Sequence, residues 1–255
     1  MCRLFGFRAA RPDAVHPSLI TERNSLRWQS REHQDGWGIA SYVAGSPFPV
    51  VAHGLGPAHL DPDFERVSSL VTSHAVLAHV RLASVGGVQA ANAHPFTDGR
   101  WAFAHNGTLR HYARHQAALE ALIDRAQLAR VKGTTDTERC FRLFLTHLAR
   151  GGGSGASDVA RALAAVMGDV ARITDDEERS SMNFIVTDGE TLVATRRHRS
   201  LFFLSRGQQD SGAWDEVIIA SEQLFGEEPW QEVPEEGVVG VDASMRLHRW
   251  SLSEL

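Results

Sequence analysis

Two cysteines in 255 residues, Cys2 and Cys140, are too few for a disulfide framework or a thiolate metal site. So low a count suits a reducing, cytoplasmic compartment. The arginines at positions 3, 8 and 11 have no apolar run of signal-peptide length between them, which argues against secretion. Basic patches are also scarce: 26 Lys and Arg stand against 31 Asp and Glu, for a net charge of -5. Only Arg196, Arg197 and Arg199 cluster, and a run that short reads as a solvated strand end, so neither nucleic acid nor a membrane is an expected partner. Asp, Glu, Lys and Arg are absent from 38 to 60, but Pro47, Pro49, Pro57, Gly45, Gly54 and Gly56 interrupt the segment too often for a membrane span. It reads as two strands and a turn.

Apolar, β-rich runs fill both ends of the chain: 2–7, 38–43, 75–80 and 101–105, then five more between 183 and 241. Helical spacing is confined to the middle. Leu119, Leu122, Ile123 and Ala126 form one stripe, Phe141, Phe144, Leu145 and Leu148 a second, and Val159, Leu163, Val166 and Val170 a third. GGGSG at 151–155 reads as a flexible link between the last two helices, and Asp188-Gly189 as a two-residue hairpin. Strands at both ends with helices grouped between them imply an α+β layered architecture, sheets packed on each other with helices outside.

Cys2 directly follows the initiator methionine, so removal of Met1 would expose a residue carrying both a thiol and a free α-amine. The amine titrates near ~7.7–8.0 and the thiol near ~8.5, so one residue holds a nucleophile and a matched base. Taken alone, Cys2 could equally be a small buried apolar side chain. Four further segments carry polar residues where core packing does not ask for them: HQDGWGIA at 33–40, HVRLAS at 79–84, AHNGTL at 104–109 and GTTDTE at 133–138. Each has a structural reading. Arg81 could cap a strand, Asn106-Gly107 is foremost a turn dipeptide, and Thr135 with Glu138 makes a capping box in which Asp136 is a first-turn acid.

Together with Cys2 these segments resemble the class II glutamine amidotransferases, and especially the stand-alone YafJ-type proteins. Those share MC at the start, DGWGI, H-x-R followed by NAHPF (92–96 here), AHNG and a T-D-[ST]-E helix start. The likeness continues through MNFIVTDG at 182–189 and IASEQL…W…VP at 219–234. It implies the four-layer αββα sandwich of the N-terminal-nucleophile hydrolases, formed by residues 2–255 as a single glutaminase-type domain with no synthase domain. It further implies that Cys2 attacks the γ-amide, that Asn106 and Gly107 form the oxyanion hole, and that Arg81 and Asp136 hold the substrate α-carboxylate and α-ammonium. Ser84 would contact substrate, while His94 and Asp35 would support the residues that do. Trp37 and Gly38 would pack under the Cys2 strand. Two positions depart from glucosamine-6-phosphate synthase: RWATHG there is Arg81-Leu-Ala-Ser-Val-Gly86 here, and the usual Arg-Gly before the DGWG element is Glu32-His33.

Three functions follow from these residues. The first is a glutaminase releasing glutamate and ammonia, the ammonia passing to a separate synthase subunit; the second is an independent hydrolase of another γ-glutamyl amide; the third is a non-catalytic binding protein that keeps the fold. The intact set Cys2, Arg81, Asn106 and Asp136 speaks against the third. No cofactor is required by this chemistry. His111 and His115 have i, i+4 spacing but no third ligand near them in sequence, so no metal is expected either.

Overall fold

A computed structural model describes residues 2–174 and 179–255. The strands are β1 (Arg3–Ala14), β2 (Trp37–Tyr42), β3 (Pro49–Gly54), β4 (Thr72–Val80), β5 (Phe96–Asp98), β6 (Trp101–Thr108), β7 (Ser181–Thr187), β8 (Leu192–Thr195), β9 (Phe202–Gln208), β10 (Trp214–Ala220), β11 (Gln231–Glu232), β12 (Gly237–Val241) and β13 (Leu247–Ser251). The helices are α1 (Leu26–Gln29), α2 (Pro62–Leu70), α3 (Tyr112–Glu120), α4 (Arg125–Leu128), α5 (Asp136–Gly151) and α6 (Ala156–Thr174). One antiparallel sheet has the order β11-β9-β10-β1-β4-β2-β3, the other β13-β12-β8-β7-β6-β5. No described helix is long and apolar enough to cross a membrane.

Strand alternation sends successive side chains to opposite faces, and the two faces of each sheet bury different cores. Leu4, Ala40, Leu77, Ala102, Ala104, Ile185 and Ile219 meet between the sheets. Phe5, Phe7, Trp37 and Val76 face outward, toward Leu26 of α1 and Phe64 of α2. On the other side Phe103 and Phe184 meet Phe141, Phe144, Val159 and Leu163 of α5 and α6, with the rings of Phe103 and Phe141 stacked 5.3 Å apart. The result is helices, sheet, sheet, helices, the αββα order expected from the resemblance.

Several local expectations are corrected. The stripe from Leu119 to Ala126 is not one helix: α3 ends at Glu120 with Ala121 as its C-cap, and α4 begins after Asp124, whose N–H donates to the Thr146 hydroxyl of α5 at 3.1 Å. Asp188-Gly189 does turn the chain, but the loop has four residues, since Thr187 pairs with Leu192 and the Asp188 carboxylate accepts the N–H groups of Glu190 and Thr191. Helix α2 falls outside the expected middle, and β5, β11 and β13 were too short or too polar to read as strands. Trp37 does not lie under the Cys2 strand. It pairs with Val80, so β4 separates it from β1, and its indole packs edge-on against Phe64 and donates to Asp61. Gly38 lets the 94–95 loop come close, for a Cβ there would stand 2.0 Å from the His94 carbonyl oxygen.

His79 and His94 lie fully buried, with His79 Nε2 and His94 Nδ1 3.0 Å apart and the rings edge-to-face. Burial, reinforced by nearby positive charge, pushes both imidazoles well below 6.5. His105, also buried, is pushed down by burial against the opposing pull of Asp136. These rings stay neutral in the fold but take up protons once unfolded, so their stabilising effect is present above pH 6.5 and is lost as pH falls below it. Each withheld proton costs about 1.4 kcal/mol per pH unit in that range. Urea midpoints should therefore drop steadily from pH 7 to pH 5, and His79→Gln should flatten the slope. A midpoint constant over that range would refute the neutral-histidine account.

Candidate active site

Cys2 sits at the start of β1, a strand flanked on both sides: Phe5 pairs with Ala220 of β10 and with Ala78 of β4. The residue is 7% exposed, and its thiol lies 3.5 Å from the Leu82 carbonyl oxygen. Burial pushes the thiol above its ordinary pKa, with Arg81 pulling it down and Asp136 pushing it further up. At neutral pH the sulfur is therefore protonated at rest and needs a base. Cys140, by contrast, is buried in α5 among Phe141, Phe144 and their neighbours, where burial raises its pKa further still and nothing prepares it to react.

Arg81 follows the last residue of β4 and is buried. It donates from Nη1 to the Gly87 carbonyl at 3.1 Å and from Nη2 to those of Val85 and Gly86 at 3.0 and 3.2 Å. Three loop carbonyls thus fix the plane of the guanidinium. Asp35 clamps the same segment: its Oδ2 accepts the Ala83 N–H at 2.7 Å and its own N–H donates to the Arg81 carbonyl at 2.9 Å. Ser84 is exposed at the rim, its hydroxyl 2.7 Å from that of Thr108. His94 reaches none of these groups and packs on His79 and Phe96.

Asn106 and Gly107 lie in β6, paired with Asn183 and Met182, rather than in a turn. Only glycine fits at 107: a Cβ there would stand 2.0 Å from the Ser181 carbonyl oxygen and 2.3 Å from the His105 ring. Asn106 is buried, with Nδ2 3.3 Å from Ser221 Oγ. Asp136 opens α5, where Thr135 caps the helix by accepting the Glu138 N–H at 3.2 Å. The expected capping box is only half made, because the Glu138 carboxylate instead accepts the N–H groups of Lys132 and Gly133. Asp136 Oδ2 accepts the Leu109 N–H and Oδ1 that of Thr137, both at 2.8 Å, so the carboxylate ties the helix to the segment after Gly107. His105 braces the same junction, 3.0 Å from the Thr137 hydroxyl and 2.9 Å from the Ser181 carbonyl.

The Cys2 thiol thus lies within electrostatic reach of the Arg81 guanidinium and the Asp136 carboxylate, and Ser221 links the Asn106 carboxamide to Leu4 on the same strand, a set of groups whose chemistry suits a zwitterionic head group beside a thiol. Sequence reasoning missed the neighbours that hold them. Ser221 stands inside the IASEQL segment, and Glu222, next to it, pairs with Arg3 at 3.3 Å. His111 lies ahead of α3 with φ 50° rather than on its face with His115, so the i, i+4 pair does not form. Among the described residues no three His, Cys, Asp or Glu gather as a metal would require.

Known proteins are similar to this chain in sequence and in fold. The chain is 28% identical over 253 residues to a γ-glutamyl-hercynylcysteine sulfoxide hydrolase of Mycobacterium tuberculosis, spanning 94% of this chain and 93% of that protein. It is 27% identical over 261 residues to the putative glutamine amidotransferase YafJ of Escherichia coli, spanning 91% and 94%. Among solved structures, a glutamine aminotransferase class-II domain protein from Silicibacter pomeroyi superposes with a TM-score of 0.71 at 22% identity, covering 98% of both chains. The glutamine phosphoribosylpyrophosphate amidotransferase of Bacillus subtilis superposes with a TM-score of 0.65 at 18% identity, covering all of this chain and 50% of that one. The family model of the class II glutamine amidotransferases matches residues 1–243, and it is to that family that the chain belongs.

Proposed function

We propose that the protein hydrolyses the γ-amide bond of a γ-glutamyl substrate through a thioester on Cys2, with residues 2–255 acting as one glutaminase-type unit. The nearness of Arg81 and Asp136 to the Cys2 thiol, with Asn106 joined to the same strand through Ser221, carries this reading. With Met1 removed, the Cys2 α-amine takes the thiol proton and the thiolate attacks the amide carbon. The new C–S bond leaves a tetrahedral oxyanion, which the Asn106 side-chain amide and the Gly107 N–H stabilise. Collapse breaks the C–N bond, and the leaving amine departs with the proton the α-ammonium returns. Water then attacks the thioester, giving up its proton to the same amine, and glutamate leaves as the thiol re-forms.

Arg81 and Asp136 grip the α-carboxylate and α-ammonium of the glutamyl end, and Ser84 lies at its rim. The leaving amine is ammonia if the substrate is glutamine, to be hydrolysed or passed to a separate synthase. The second reading, a larger leaving amine, is favoured by the Mycobacterium tuberculosis relative, which is named as a hydrolase of such a γ-glutamyl compound and aligns over 93% of its length.

Intact-mass analysis of the wild-type protein with a panel of γ-glutamyl amides, glutamine included, tests this directly. Mature protein should lack Met1, because a retained residue moves the free amine about 3.8 Å from the thiol. Cys2→Ala should abolish turnover, Cys140→Ala should not, and a γ-glutamyl diazoketone should add once, at Cys2. Activity in a preparation that keeps Met1 throughout would end the amine-as-base mechanism.

Kinetics separate the binding groups from the oxyanion donors. Asn106→Ala should lower kcat by roughly 10²–10³, about 2.7–4 kcal/mol, with KM little changed. Arg81→Lys keeps the charge but cannot meet three loop carbonyls and a carboxylate from one ammonium, so KM should rise. Asp136→Asn should also raise KM, and the wild type should refuse N-acetylglutamine. Equal hydrolysis of blocked and free glutamine would remove the role given to Asp136.

A further inference from the structure

Ser221 has no part in the chemistry above, yet its hydroxyl touches both halves of the site. It is 1% exposed and follows β10, where Ala220 pairs with Phe5. Its Oγ accepts the Leu4 N–H at 3.0 Å, and its own N–H donates to the Leu4 carbonyl at 3.1 Å, two residues from the nucleophile. The same Oγ lies 3.3 Å from the Asn106 carboxamide on the opposite sheet.

Donors and acceptors do not balance with the carboxamide as it stands. Ser221 Oγ then accepts from both Leu4 N–H and Asn106 Nδ2, while Asn106 Oδ1 is buried with no hydrogen-bond partner. A buried acceptor left unmade costs about 1–3 kcal/mol. The oxygen and NH₂ ends of a carboxamide occupy nearly the same space, so half a turn about its last torsion exchanges them without moving a neighbour. After that turn Oδ1 accepts the Ser221 hydroxyl proton, and Nδ2 takes the position the orphaned oxygen held. The rotation gives Oδ1 a donor and leaves the two N–H groups of the amide without a partner in the resting fold, so that they are met only when an oxyanion forms beside them.

We propose that Ser221 is a positioning residue for the oxyanion hole: by donating its hydroxyl proton to Asn106 Oδ1 and accepting the Leu4 N–H, it fixes which end of the Asn106 amide faces the substrate and ties that amide to the nucleophile strand. This rests on the γ-glutamyl hydrolase reading above. A serine that only filled space or held β1 would make no distinction between ground state and transition state. One that aims the donor acts where negative charge develops.

The test combines a double-mutant cycle with an inhibitor, using the full chain. Ser221→Ala should lower kcat by about 10- to 100-fold with KM for a turned-over γ-glutamyl amide little changed, less than the roughly 10²–10³-fold expected for losing the donor itself. Glutamate γ-semialdehyde, which forms a tetrahedral adduct with the thiolate, should lose affinity by a similar factor. Added to Asn106→Ala, the Ser221→Ala change should cost no more than about twofold further, because its route to the reaction is already gone. Should Ser221→Ala fail to fold, Ser221→Cys keeps the volume and a weak donor, and it should fall between wild type and Asn106→Ala in kcat. Multiplying effects in the double variant, a raised KM at unchanged kcat, or unchanged semialdehyde affinity would each overturn the role of Ser221 and leave the hydrolase reading standing. A wild type that turns over no γ-glutamyl amide would remove both.

Discussion

The first strand of this chain is gripped on both flanks, by β4 on one side and β10 on the other, and the site depends on that grip. Terminal residues ordinarily fray, since a chain end gains entropy by leaving the fold. In the mechanism proposed above the end must hold still, because there residue 2 supplies the thiol and, once Met1 is gone, the base. Central placement in a seven-stranded sheet gives β1 two ladders of backbone hydrogen bonds where an edge strand would have one. The Arg3 guanidinium adds a further anchor, donating to the Cys2 carbonyl and pairing with Glu222, which itself receives the Ser200 hydroxyl.

The polar groups around that terminus are costly to bury, and the fold satisfies most of them through backbone atoms. Arg81 is met by three carbonyls, Asp136 by two N–H groups and Asp35 by a third. Such partners are set by the course of the chain and cannot swing away, so the charges are held before substrate arrives. The raised thiol pKa belongs to the same economy of burial. A protonated sulfur is tolerated in a buried site, and in the proposed mechanism the thiolate forms when the amine takes the proton.

Much of this was legible in the residues. Strand runs ending in Arg81 and in Asn106-Gly107, a helix opening on Asp136 and a cysteine at position 2 marked one end of the sheets, and the αββα layering followed from strands at both ends and helices between. What could not be read depended on partners far away in sequence. Asn106-Gly107 alone signals a turn, and only pairing with Asn183 and Met182 makes it strand. Glu138 fits a capping box by spacing, yet the 132–133 loop folds back to claim its carboxylate. The stripe from Leu119 to Ala126 has helical period on both sides of a break at which the Asp124 N–H turns to Thr146 of α5. Ser221 lies inside the 219–234 motif but carries no signal of its own, for a serine after an apolar strand is chemically ordinary until Leu4 and Asn106 are beside it.

The proposed nucleophile and oxyanion donor stand on different sheets, Cys2 just ahead of β1 and Asn106 on β6, so their separation depends on that of the sheets. Alanines and large aliphatic side chains fill the layer together. Ala40, Ala102, Ala104 and Ala194 line the layer between the sheets, and a Cβ on Gly6 would already stand 3.1 Å from Ile185 and Leu192. Close-packed interiors do not compress or open by fractions of an ångström without cost. Larger side chains in that layer would therefore be felt at the site as well as in stability, by moving the donor relative to the sulfur. In the proposed mechanism the packed layer and the Ser221 hydroxyl serve one end: the first holds the sheets at a fixed distance, and the second joins the Cys2 strand to the Asn106 carboxamide across it.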